Sequence, residues 1–457
     1  MSRNALVLLL LFLLAGPGRC RDGNDGSLQT SPPATDAAAP AIEPTGAVTL
    51  RQALALALMH NPDLKAFPYA LRAAEARVLQ ARLLPNPKVE VEAEEFGGTG
   101  FRSGFDAAEL SVRIGQRVEL GGKRDRRTRL ASLGKELVDW DYESARADVI
   151  QRVTRAFAAV LAAQARLELT EKVLELSRQA QAAVAQRVQA GKDSPVAELR
   201  ADVVVSQAHI ETQRAAKLLT AARQRLASLW GSRRPSFQEV TGDFYEVTEP
   251  EPLDRDVERI LENPDLARWK TEQDRRRAAM RLEKARAVSD VTIAGGVQRF
   301  EETDDSAFIV GLAIPIPLFD RNQGGIQEAA ENLARTGEQY KAAQVAALAN
   351  LSEAASRLSA AYEEVVLLRD EVLPKAEQAF AAAGRGYREG KFDYLAVLDT
   401  QRTLFETQAQ FIDAAEAYHA ARADVERLTG QPSFATDTSA SRTPSAADSK
   451  KEISDED

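Results

Sequence analysis

NPDLKA at Asn61–Ala66 returns as NPDLAR at Asn263–Arg268, and GKDSPVAEL from Gly191 returns as GKFDYLAVL from Gly390. The first copy closes with Leu229-Trp230-Gly231 and the second with Leu428-Thr429-Gly430. The offsets are 202 residues for Pro62/Pro264 and 199 for both Gly191/Gly390 and Gly231/Gly430. Spacing this regular marks one long structural unit that has been duplicated.

Inside each half the hydrophobic period changes in the same order. Leu64, Leu71, Ala74, Val78, Ala81 and Leu84 keep the three-to-four spacing of a helix face until Pro85-Asn86-Pro87 stops it. The period then becomes two: Val89, Val91 and Ala93, then Leu110, Val112 and Ile114, alternate with Glu90, Glu92, Glu94, Ser111 and Arg113 around a Gly-rich turn. This predicts strands near 87–96 and 108–119. The second half answers with strands near 290–300 and 306–317, ended by Pro315 and Pro317. Each run is about ten residues, the length of a tilted strand that crosses a bilayer. Soluble hairpins would read alike strand by strand.

The strands are followed by helical patterns over about 122–190 and 323–389, each approaching about 100 Å if continuous. Pro374 predicts a bend or local break in the second. Both reverse at turns near 191–195 and 390–394, where Gly191 and Gly390 supply the positive φ that ends a helix. Fresh helical patterns then run back toward Gly231 and Gly430. Four strands cannot close a barrel, which begins at about eight, and lipid does not tolerate open edges, so more than one chain must contribute.

The ends of the chain read differently. Residues 1–20 carry Arg3, an apolar run from Ala5 to Ala15 and then Gly16 to Cys20, which suits a secretory signal rather than a spanning helix. Cys20 is the one cysteine, so no internal disulfide exists, and its position makes it a candidate for lipidation. Residues 21–47 and 431–457, rich in Gly, Pro, Ser, Ala and Asp, are expected to be mobile tails. Between them lie a first repeat over 48–231, a linker over 232–253 and a second repeat over 254–430.

Composition narrows the function. Aromatic residues make up 6% and charged residues 28% of the chain, with Ala throughout, as in long, closely packed helices. A net charge of −9 leaves no general footprint for nucleic acid. Three scattered histidines and the absence of HExxH, CxxC or GxSxG arrangements exclude the common catalytic motifs, and GGKR at Gly121 lacks Walker spacing. No catalytic, cofactor or dedicated metal site is expected.

LLPNPKVEVE from Leu83, ELGGKR from Glu119, RVQAGKDSPVAELRA from Arg187, IPIPLFDRNQGGI from Ile314 and GYREGKFDYLAVLDTQRTL from Gly386 together carry a family likeness. From Val48 to Gly430 the chain resembles outer-membrane efflux channels of the TolC type, in the branch serving heavy-metal resistance-nodulation-division pumps. The resemblance implies a mainly α fold with a membrane β-barrel portion: a homotrimer whose twelve-stranded barrel continues as an α-helical periplasmic tunnel. It implies as partners a periplasmic adaptor of the membrane-fusion type, an inner-membrane resistance-nodulation-division transporter and outer-membrane lipid.

By the same resemblance the turns at Gly191, Ser194, Pro195 and Gly390 would meet the adaptor. Asp399 aligns with a carboxylate lining the closed entrance, and Tyr387 with a tyrosine that latches helices there. A threefold acidic ring would attract cations and act in gating. Ala396 stands where some relatives carry a second carboxylate, so a double ring is not expected. Export of drugs or polypeptides is the alternative within this class, and a periplasmic coiled-coil scaffold or adaptor the alternative outside it.

Overall fold

A computed structural model describes residues 44–430. The signal segment, Cys20, the stretch to residue 43 and the tail from 431 lie outside the described residues. The first repeat opens with strand β1 (Gly46–Thr49), so among the described residues the first strand starts two residues before the expected body. Thr49 then starts helix α1 (Leu50–His60) through a reciprocal capping box with Gln52. Asn61 caps α2 (Pro62–Arg82), which carries proline at its first position, where a missing N–H costs nothing.

Strands β2 (Lys88–Glu94) and β3 (Glu109–Val118) come next, and then α3 (Lys123–Gln189), 67 residues long. It reverses into α4 (Pro195–Ser228). Strand β4 (Phe237–Thr241) pairs in parallel with β1, placing regular structure in the stretch read as a linker. Helices α5 (Leu253–Arg259) and α6 (Pro264–Arg286) lead to β5 (Val291–Phe300) and β6 (Asp305–Ala313). Strand β6 stops before Pro315, because neither Pro315 nor Pro317 can donate to a ladder.

The second long helix is interrupted. It runs as α7 (Gln323–Leu367), opens into a π turn over Leu368–Val372 and resumes as α8 (Leu373–Arg388) before α9 (Tyr394–Thr429) returns. Pro374 lacks an N–H and its ring would clash with the carbonyl four residues back, so the wider turn forms just before it.

The four longer strands form one antiparallel sheet in the order β2-β3-β5-β6. Its register sorts the side chains into two faces. Val91, Val112, Val297 and Phe308 make one row, and Val89, Ile114, Gly295 and Val310 the next. The alternate rows are Glu92, Ser111, Gln298 and Ala307, then Glu90, Arg113, Gly296 and Ile309. Phe308 is 91% and Val310 86% exposed, whereas Arg113 pairs with Glu92 at 3.3 Å on the other face. A sheet that is apolar on its open side and polar on the reverse is built for lipid outside and water within. No helix among the described residues is long and apolar enough to cross a membrane.

Below the sheet the helices stand in the same lateral order as the strands, α2 beside α3, then α6, then α7. Each repeat owns a core at the waist. Val153, Phe157, Leu226, Trp230 and Phe237 centre the first, and Ile260, Leu351, Val365, Ile412 and Tyr418 the second. The buried Tyr418 hydroxyl donates to Thr248 O at 2.8 Å and accepts from Thr248 N–H at 2.9 Å.

Candidate functional site

The two hairpins end in turns of one design. Gly191, at φ 70°, and Gly390, at φ 75°, adopt the left-handed conformation that closes a helix. Lys192 N–H then donates to Arg187 O at 2.9 Å, and Lys391 N–H to Gly386 O at 2.8 Å. The returning helices are capped alike: Ser194 accepts from Val196 N–H, with Pro195 at the first helical position, and Asp393 accepts from Ala396 N–H. Gly191, Ser194, Pro195 and Gly390 are all exposed, and beside them Leu199 is 64% and Leu395 52% exposed.

What braces each turn differs. In the first, Arg187 Nε lies 2.7 Å from Asp193 Oδ2. The positions 199 residues on are Gly386 and Phe392. A Cβ at Gly386 would lie 2.2 Å from Phe392 Cδ2, so the ring occupies the space that glycine leaves open. An ion pair at one tip has become a knob in a hole at the other.

Tyr387 joins the two tips. Its hydroxyl donates to Asp193 Oδ2 at 3.4 Å, 194 residues away in sequence. The Arg187 guanidinium lies 4.8 Å from the centre of its ring, and the centre of the Tyr394 ring, tilted by 49°, is 5.9 Å away. The hydrogen bond from Arg187 holds the Asp193 carboxyl below its ordinary pKa. Burial pushes the Tyr387 phenol upward, with nearby Arg187 opposing and Asp193 reinforcing the shift. Phenol, guanidinium and carboxylate keep these states at neutral pH.

Asp399 does not join this cluster. It lies on α9 with its side chain 70% exposed, paired with Arg402 at 3.0 Å, and Arg402 also reaches Glu406 at 3.8 Å. Every third or fourth residue of that face borders a groove of about 870 Å³ between α3, α4 and α9, with Leu169, Val173 and Phe405 along its floor. Its charge is therefore shared with a neighbouring cation rather than presented bare.

Arg187, Asp193, Gly386 and Phe392 were not singled out in the sequence, although all four fall within the quoted family segments. Arg187 begins the third of them, and Gly386 begins the fifth. At the waist, Arg427, with 9% of its side chain exposed, bridges Asp148 at 2.6 Å and Asp265 at 2.8 Å, tying the second repeat to α3. Burial disfavours its charge, but those two carboxylates outweigh the penalty and raise its pKa. Burial lowers the pKa of His419, whose Nε2 lies 2.8 Å from Phe244 O. Among the described residues no group of three or more His, Cys, Asp or Glu side chains could hold a metal ion.

The family model described as "Outer membrane efflux protein" matches residues 53–232 and 258–431, one match per repeat. The chain belongs to the outer membrane efflux protein family. This efflux protein is 35% identical to the cobalt-zinc-cadmium resistance protein CzcC of Cupriavidus metallidurans, over 85% of its own length and 91% of that relative. It is 27% identical to the nickel-cobalt-cadmium resistance protein NccC of Alcaligenes xylosoxydans, covering 69% of this chain and 71% of the other. Its fold superposes on CusC with a TM-score of 0.68 at 18% identity, over 84% of this chain and 92% of that one. On VceC of Vibrio cholerae the TM-score is 0.69 at 18% identity, over 84% and 96%. The efflux protein is thus an outer-membrane channel protein of the TolC fold, with long periplasmic helices below its barrel strands.

Proposed function

We propose that the chain is the passive outer-membrane conduit of a tripartite pump that exports heavy-metal cations. The observation that carries this reading is the 35% identity to a cobalt-zinc-cadmium resistance protein across 91% of that protein's length. The chain itself performs no chemistry in this reading, and energy comes from an inner-membrane resistance-nodulation-division transporter through a periplasmic adaptor.

Three chains close the wall. The sheet leaves β2 and β6 as open edges, so pairing β6 of one protomer with β2 of the next abolishes both in a twelve-stranded ring. The tip turns at Gly191, Ser194, Pro195 and Gly390 then face the adaptor, their exposed apolar neighbours supplying contact surface. The contact of Tyr387 with Asp193 and Arg187 supports a latch between hairpins. Asp399, offset by Arg402, contributes a weakly acidic ring at the entrance.

The test is growth of a deletion strain and its complemented parent across zinc, cobalt, cadmium, nickel, copper and silver, beside dyes and antibiotics. Hypersensitivity confined to metals is the expected result and names the cargo. Sensitivity to dyes or antibiotics with normal metal tolerance would reject the metal reading while leaving the channel intact.

A further inference from the structure

Just below the sheet the helices form a cationic collar. Residues 123–135 carry six basic side chains against one acid, and residues 268–286 eight against three. Most of these cations pair with carboxylates. Within the collar, α2, α3 and α6 enclose a cavity of about 330 Å³. Small residues hold it open, among them Ala74, Ala131 and Gly134. A Cβ added at Gly134 would meet no atom within 4 Å.

Arg77, Arg275 and Arg276 line this space from two helices. Glu272 is shared by two of them, 2.9 Å from Arg275 Nε and 2.7 Å from Arg276 Nε. The buried Nε of Arg275 nevertheless lacks the alignment of a hydrogen bond. Arg77 makes no ion pair or side-chain hydrogen bond among the described residues. Three guanidinium groups against one carboxylate leave an excess of positive charge and unused donors around an opening lined by small side chains. Guanidinium forks match the oxygens of phosphate.

We propose that this cavity binds a phosphate group. Its depth favours the headgroup of a phospholipid in the periplasmic leaflet. Leu130, on its lining, is seven residues past Lys123, about 10 Å along the helix from the barrel side. The headgroup layer extends roughly 5–7 Å beyond the hydrocarbon, and arginine side chains span the remaining gap. The same chemistry would take free phosphate from the periplasm.

The full-length protein, purified in detergent and stripped of lipid, is offered phosphatidylglycerol in nanodiscs and, separately, inorganic phosphate. Bound lipid is counted by native mass spectrometry and bound phosphate by equilibrium dialysis. Arg77→Gln removes the unpaired, exposed cation. Gly134→Leu fills the cavity without altering charge, and Lys341→Gln, in the exposed pair with Glu338, is the control. Circular dichroism and gel filtration check that each variant folds and assembles.

Retention of phosphatidylglycerol that falls about tenfold in Arg77→Gln and in Gly134→Leu, but not in the control, supports the lipid source. Binding of inorganic phosphate alone, with the same pattern among variants, supports the site with a soluble source. The proposal is overturned if neither probe binds. It is also overturned if Gly134→Leu folds and binds as the parent does, or if the control loses as much as Arg77→Gln, since diffuse charge then accounts for the binding.

Discussion

Asn61 Nδ2 donates to Leu229 O at 2.8 Å, across 168 residues, while the Oδ1 of the same side chain accepts from the N–H groups of Asp63 and Leu64. One buried amide thus starts α2 and fastens the end of α4. Asn263 repeats the arrangement, capping Asp265 and donating to Arg427 O and Leu428 O at 2.9 Å each. The repeated NPDL phrase is a bolt that closes each repeat at the waist.

Asn61→Ala and Asn263→Ala should each therefore destabilise the fold by about 2 kcal/mol, combining a lost helix cap with backbone groups left unpaired. Thermal unfolding in detergent measures this. A shift in only one of the two variants would show that the repeats do not use the motif equivalently.

Arg427→Leu should cost about 3 kcal/mol, because Asp148 and Asp265 lose the cation between them. Removing both carboxylates along with the arginine should recover part of that loss. Comparison of the single and triple variants by thermal unfolding checks it. Equal destabilisation would point to lost packing rather than charge.

At the tips, Asp193→Asn and Arg187→Ala should raise single-channel conductance by loosening the contact with Tyr387, and Tyr387→Phe should do so less, since its hydrogen bond is long. Asp193 has a depressed pKa, so its contribution is complete at neutral pH and is lost only as pH falls through a value below the ordinary range near 4. Conductance should stay flat from pH 8 to pH 5 and rise in stronger acid. Opening between pH 7 and pH 6 would assign the response to another group.

Gly386→Ala should disturb the second turn, since the added methyl meets the Phe392 ring. Pairing it with Phe392→Leu should restore the parental conductance by freeing that space. If the single change is silent, the ring moves aside without cost and the knob in the hole does not brace the tip.

Asp399→Ala should lower cation preference, but only modestly, because Arg402 already offsets the carboxylate. Arg402→Gln should shift preference the opposite way. Reversal potentials across a salt gradient report both, and unchanged values would remove Asp399 from the entrance.

Much of this architecture is legible because it is periodic. The alternation at Val89–Ala93 and the long helical pattern over 323–389 announce element type, and the repeat offset announces their order. The interruption near Pro374 follows from one residue's missing N–H. Strands β1 and β4, with 4 and 5 residues, are too short to show a period, so residues 232–253 read as a linker. Asp193 meeting Tyr387, and Arg77 meeting Arg275 across a void, are contacts between distant segments. Local spacing carries no record of them, whereas a shared phrase such as NPDL does draw attention to its own residues.

The π turn also changes direction. The interrupted helix comprises stretches of 45, 5 and 16 residues, one fewer in all than the 67 of α3. A π turn absorbs one further residue without advancing the α-helical phase. Beyond that turn every side chain of the second hairpin is therefore set back by about 100°, one residue's rotation of an α-helix. Duplicated helices would otherwise present the same side at their ends. With this setback the second tip need not repeat the face of the first, and a tandem repeat acquires two distinct ends.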